Sequence, residues 1–368
     1  MDLAFTEEQE MLRQTVRELC AKQSSPDPVR ALENDERGYS TSLYEQLART
    51  DLLGLTIPEE FGGAGQSALE NVVVYEELGR ALAASPHLGS AVIAAGVLLA
   101  GGSDQQKKEW LPKIVSGEAT FTPAWLEAGG SNGPESVHTA AKDDKLTGEK
   151  VLVPFANTVT RLVVSAREGD NVGLFLVEPK DVSLTQVSTI ALDAEYTVTL
   201  QETPGERIEG GWAAWEEASK DALIALAGYA TGGAERALEL SLEYANEREQ
   251  FGRKIGSFQG IAHPLADIAT EVQGGRVLSY EAAWARAHNK PLGPLAAMAK
   301  MYAADVFKRA TKLGQQVYGG IGFTLEIDMQ LYFRRAKQLE LQWWEPRYLE
   351  RVIAAAELDA DKPFINVY

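Results

Sequence analysis

Cysteine is nearly absent from this chain: Cys20 is the only one in 368 residues. An intrachain disulfide and a cysteine metal cluster are both excluded, which suits a reducing cytoplasm. Histidine is scarce too. His87, His138, His263 and His288 stand far apart, without the His-Glu-x-x-His spacing of a zinc hydrolase. No Gly-x-Ser-x-Gly elbow, no Gly-x-x-x-x-Gly-Lys-Ser/Thr loop and no Rossmann fingerprint occurs, so serine hydrolases and nucleotide kinases are not expected. Positive charge is outnumbered, 35 Lys+Arg against 53 Asp+Glu, and the net charge of −18 leaves no basic stripe for nucleic acid or an anionic membrane. Long apolar runs are missing as well. Residues 91–100 make about half of the ~20 needed for a membrane span, and Gly101-Gly102 stops them, so they read as a buried helix. Met1–Gln9 is acidic and polar, unlike a secretory signal. A cytoplasmic protein is expected.

What remains is an ordinary globular composition, 45% hydrophobic and 24% charged, long enough for two or three folding units. Periodicity divides the chain at about residues 118 and 217. Residues 1–118 read as helical: Thr6 and Gln9 form a capping box, and helices follow over 42–53, 69–83, 91–100 and 105–115. Residues 119–217 carry short β-rich runs at 145–153, 161–166, 172–177, 183–187 and 196–200, with a turn at Gly169-Asp170-Asn171, which implies an antiparallel sheet or small barrel. Residues 218–368 read as a four-helix bundle over 221–248, 257–288, 295–318 and 328–357. Gly228 and Gly232, one turn apart, predict another backbone packed closely on that helix.

Two segments in the last region could carry chemistry. In Tyr244-Ala-Asn-Glu-Arg-Glu-Gln-Phe-Gly-Arg-Lys-Ile-Gly-Ser-Phe-Gln259, Arg248 stands where its planar fork can grip a phosphate. The plain alternative is a helix end, with Gly252 as a left-handed C′ residue and Ser257 capping the next helix. In Gln316-Val-Tyr-Gly-Gly-Ile-Gly-Phe-Thr324 the glycines allow a ligand to approach backbone amides, or merely end a helix.

The two motifs, in this order within a helix–sheet–helix chain, resemble the acyl-CoA dehydrogenase family over essentially the whole length. Ile57-Pro-Glu-Glu-Phe-Gly-Gly63 and Gly148-Glu-Lys150 are similar to further family segments. The resemblance implies the family's fold: an N-terminal helical domain, a middle β domain and a C-terminal four-helix bundle. It also implies FAD at a subunit interface, with Arg248, Gln250, Phe251, Phe258, Gln259, Gln316, Gly319 and Gly320 holding the ADP portion. The substrate would be an acyl-CoA and the usual electron acceptor an electron-transferring flavoprotein.

Departures from the family pattern are equally specific. The family's Thr-Glu-Pro segment, whose threonine meets the flavin, is Leu126-Glu127-Ala128 here. Its Trp-Ile-Thr segment falls on Leu152-Val153-Pro154, where leucine offers no side-chain donor and proline no amide hydrogen. The position of the usual glutamate base holds Trp343, and indole is only a donor. The family's other base position falls on Ala222, next to Leu223. Glu345 and Asp221 are nearby carboxylates that could act as a displaced base in a self-sufficient homo-oligomer.

Intact ADP-holding motifs beside an eroded flavin platform resemble one subunit of a heteromeric α2β2 acyl-CoA dehydrogenase, in which a second family chain supplies base and platform. Some such assemblies act on sterol side-chain CoA thioesters. A non-catalytic scaffold of the same fold is the remaining alternative.

Overall fold

A computed structural model describes residues 5–33 and 35–360. Their helices are α1 (Glu7–Gln23), α2 (Pro26–Leu32), α3 (Thr41–Arg49), α4 (Ala68–Arg80), α5 (Ala95–Gly101), α6 (Asp104–Val115), α7 (Gly211–Glu247), α8 (Gln259–Ala287), α9 (Leu295–Tyr318), α10 (Met329–Leu341) and α11 (Pro346–Glu357). The strands are β1 (Phe121–Ala124), β2 (Ala140–Lys142), β3 (Lys145–Pro154), β4 (Arg161–Glu168), β5 (Asn171–Val177), β6 (Ser183–Val187), β7 (Glu195–Pro204), β8 (Glu206–Ile208), β9 (Glu249–Gln250) and β10 (Arg253–Lys254). None of these helices is long and apolar enough to cross a membrane.

The residues group into two compact units that interleave along the sequence. One comprises Met1–Asp27, Ala68–Ala83 and Leu223–Tyr368; the other comprises Pro28–Ser67 and Ala84–Ala222. In the first, α1 starts as its residues dictate: Thr6 Oγ1 accepts from the Gln9 amide at 3.2 Å and Gln9 Oε1 from the Thr6 amide at 3.1 Å. The close approach predicted from Gly228 and Gly232 is made by α4. A Cβ on Gly232 would sit 1.8 Å from the Glu76 carbonyl oxygen, and one on Gly228 2.8 Å from that of Val72. Buried polar groups tie the same helices: Arg276 and Tyr280 of α8 donate to the Glu76 carboxylate, and Arg17 of α1 to that of Glu77.

Two helical expectations need correction. The helix read over 328–357 is two helices, because Pro346 lacks the amide an uninterrupted helix needs and Glu345 caps a fresh start. The helix read from 221 begins ten residues earlier, at Gly211.

In the second unit an eight-stranded sheet has the order β6-β7-β3-β2-β4-β5-β8, with β1 also on β4. It is mixed rather than antiparallel throughout: β1 and β2 both run parallel to β4, since the chain reaches β4 only after crossing through β3. The Gly169-Asp170 turn joins β4 to β5 as the sequence indicates, with Glu168 opposite Asn171. Leu146, Leu162, Val164, Phe175, Val198 and Leu200 form the sheet's apolar core, each contributing about 1.5–3 kcal/mol by burial. Residues 91–100 are helical and buried up to Leu98, with Gly96 half-buried and Ala100 exposed, and Leu88–Ala94 is wound as a π-helix before α5 begins.

Candidate functional site

One cluster forms where α7 and α9 end. The rings of Tyr244 and Tyr318 stack at 4.3 Å, and the Tyr318 hydroxyl donates to the Leu240 carbonyl at 3.1 Å. Tyr244 lies one turn before Arg248 and Tyr318 immediately before Gly319, so this stack brings the two motifs to one end of the bundle. Sequence reading quoted both tyrosines without foreseeing their contact; their helical placement near two adjacent helix ends was the available signal.

The Arg248 motif is neither a simple helix end nor a loop. β9 and β10 pair as a minimal hairpin whose tip is Phe251 (φ +55°) and Gly252 (φ +77°). Two consecutive left-handed residues define a tight turn matched to strand twist. Gly252 is thus left-handed as expected, but at a hairpin tip rather than at a helix C′ position. Ser257 does not cap α8: its hydroxyl donates to the Lys254 carbonyl, and Phe258 occupies the cap position. The short helical turn Ile255–Ser257 displaces the start of α8 by two residues.

The Phe251 ring is 92% exposed, edge-on to Phe258, over which the Arg253 guanidinium sits at 4.0 Å. Arg248, Gln250, Gln259 and Gln316 are exposed. Gly319 has φ +67° and ψ −140°, a region essentially reserved for glycine. A Cβ on Gly319 or Gly320 would meet nothing within 4 Å. Beyond them Phe323 and Leu325 are each 70% exposed. Guanidinium, amide side chains, approachable backbone and bare apolar surface together suit an anionic nucleotide sandwiched against a second surface.

A second cluster lies in the sheet unit. The Val151 amide donates to the Leu126 carbonyl at 2.9 Å, so the segments that sequence counting matched to the flavin platform are neighbours. Leu152 sits at a bulge in the β3–β7 ladder with φ +52°. Lys150, fully buried, donates to Glu127 at 2.6 Å and to Ser165 at 3.1 Å. Glu127 also accepts from the amides of His138 and Thr139. Burial pushes the Lys150 amine down to about 8 despite its carboxylate partner. Burial opposes ionisation of Glu127, but Lys150 outweighs it and holds the carboxyl below its ordinary value. The rings of Trp125 and Trp215 pack at 5.0 Å. The segment is therefore firmly tied, with Leu126 and Leu152 half-buried and Pro154 buried.

The third place is the corner between α10 and α11. Trp343 is half-buried, and Trp344 is buried with φ +55°. Glu345 is engaged as the N-cap of α11: Oε2 accepts from the Arg347 amide and Oε1 from the Tyr348 amide, both at 3.0 Å. Asp221 is half-buried on α7, beside buried Ala222 and Leu223.

Comparison with known proteins identifies the family. Residues 6–118 match the acyl-CoA dehydrogenase N-terminal domain, and residues 209–342 the acyl-CoA dehydrogenase C-terminal domain. Acyl-CoA dehydrogenase IpdE2 of Mycobacterium tuberculosis is 33% identical over 90% of this chain and 91% of its own. The ChsE4-ChsE5 complex from Mycobacterium tuberculosis contains a similar chain, with TM-score 0.89 and 30% identity, covering 99% of this chain and 100% of that one. A Tcur3481-Tcur3483 steroid ACAD structure is similar at TM-score 0.87 and 31% identity, over 95% and 98% of the two chains. This chain belongs to the acyl-CoA dehydrogenase family of oxidoreductases.

Proposed function

We propose that this chain is the base-lacking subunit of a heteromeric, FAD-dependent acyl-CoA dehydrogenase, and that it completes a flavin site shared with a second family subunit. One contrast carries the reading: the nucleotide-side groups are complete and open, while Trp343 stands at the base position and both oxygens of Glu345 are bound by backbone amides.

The residues at the ends of α7 and α9 fit the ADP portion of FAD. Gly319 and Gly320 leave their backbone open to close approach, and Arg248 offers two parallel donors to a phosphate. Gln250, Gln259 and Gln316 supply amide donors and acceptors, and Phe251 and Phe258 supply apolar faces. The flavin ring is not matched in the same way, because Leu126 and Leu152 have no polar side-chain atom and Pro154 no amide hydrogen. Bound at the interface, FAD would supply the acceptor for the β-hydrogen and its two electrons, leaving together as hydride, as the Cα–Cβ bond of an acyl-CoA becomes a double bond. Removing the α-proton needs a base, worth roughly 10²–10⁴-fold; in this reading the partner subunit provides it. This chain binds and orients the nucleotide end and covers it from water.

Similarity to a two-chain complex and to a steroid ACAD supports the pairing and a bulky sterol side-chain thioester as substrate. Reoxidation would fall to an electron-transferring flavoprotein. The test is flavin absorbance per polypeptide. The chain purified alone should hold almost no FAD, and co-expression with a cognate acyl-CoA dehydrogenase chain should raise this to about one per pair. A ratio near one for the chain alone would establish a self-sufficient homo-oligomer instead.

A further inference from the structure

Beneath the α10–α11 corner lies a titratable group that the proposed reaction does not use. Lys300 of α9 is 1% exposed, and its Nζ donates to the Trp344 carbonyl at 2.9 Å and approaches the Glu340 carbonyl at 3.5 Å. No carboxylate of a described residue lies within ion-pair distance of it. Charges acting on it are Glu340 of α10 and Glu345 at the head of α11. Glu340 is itself held by Lys308 of α9 and Lys337 of α10, and Glu345 by two amides. No charged group of α8 or elsewhere on α9 acts on Lys300 directly. Above it, Trp344 is bulky and left-handed, a conformation that persists only where its surroundings over-determine it.

We infer that Lys300 is a latch on the corner carrying Trp343: its neutral amine holds Trp344 and Glu340 and keeps the corner closed, and protonation releases it. The significance of Trp343 rests on the subunit reading above; the latch itself does not. A buried ammonium regains hydration when the corner opens, whereas a neutral amine gains little, so a bound proton favours the open form. Burial sets the closed-form value at about 7. Opening should therefore be greatest at and below neutral pH and fall as pH rises towards the ordinary lysine range.

Hydrogen exchange over residues 340–349 of the full chain, expressed as protection relative to intrinsic exchange, tests this. In the wild type, protection should rise from pH 7 to pH 9, by at most about tenfold per unit. Lys300→Met, which removes both the titrating amine and its hydrogen bonds, should show protection that does not change with pH. Lys300→Gln serves the same comparison should the methionine variant not fold. Wild-type protection independent of pH, or a rise retained in either variant, would overturn the latch. The readout needs neither flavin nor turnover, so its failure leaves the subunit assignment standing, and failure of that assignment leaves the latch.

Discussion

Lys150 Nζ and Glu127 Oε1 lie 2.6 Å apart, with the lysine side chain wholly shielded from water. The pair fastens Leu126-Glu127-Ala128 to β3, and through Ser165 to β4. Removing one member leaves the other as an uncompensated buried charge, which costs about 3–5 kcal/mol. Lys150→Met and Glu127→Gln should each lower the thermal midpoint strongly, and the double variant by much less than their sum. Because the Glu127 carboxyl is held below its ordinary value, its contribution is present at neutral pH and lost as pH falls below about 4.

Arg248→Ala should weaken FAD in the assembled complex roughly tenfold to hundredfold, the worth of a charge-assisted grip. Flavin titration of the complex reads this directly, and thermal stability of the free chain should not change, since the side chain is exposed.

Glu345→Ala separates capping from catalysis. Loss of the two amide contacts at the head of α11 should cost about 1 kcal/mol of stability. Turnover of the complex should stay at wild-type level. Abolished turnover with stability unchanged would make Glu345 the base.

His87 gives the chain an acid limit. It is buried, its Nε2 faces the Leu52 carbonyl at 3.0 Å, and burial pushes its pKa down to about 4. The unfolded chain therefore binds a proton that the folded one refuses between about pH 6.5 and 4. Over that window stability should fall with acidification by about 3 kcal/mol, and His87→Gln should flatten the slope measured by chemical denaturation.

Local chemistry was the readable part of the fold. Thr6 and Gln9 announce the start of α1 by themselves, and Gly228 and Gly232 announce a close neighbour, because each signal lies within one helical turn. The neighbour's identity, α4, is a matter of tertiary packing and was not readable. β1, β2 and β8 are three or four residues long and exist only through their pairing partners. The hairpin at Phe251-Gly252 was hidden because its tip residues also suit a helix end. At the candidate site, the left-handed backbone of Gly252 and Gly319 was legible from residue type. The capping role of Glu345 was legible too, since an acidic residue before Pro346 marks a helix start, yet counting from the glycine turn drew attention to Trp343 instead. Lys300 carried no signal, as lysine in a helix is ordinarily solvated.

The interleaved grouping of the chain constrains its birth on the ribosome. α1 and α4 emerge early but belong with the helices that follow residue 223. At about 5–20 residues per second, they wait on the order of ten seconds for residues 84–222 to be made. During that interval the face of α4 that packs on Gly228 and Gly232 of α7 has only α1 beside it and no native partner of its own. A fragment cut after residue 118 would remain permanently in that state, and should be found bound to chaperones rather than folded.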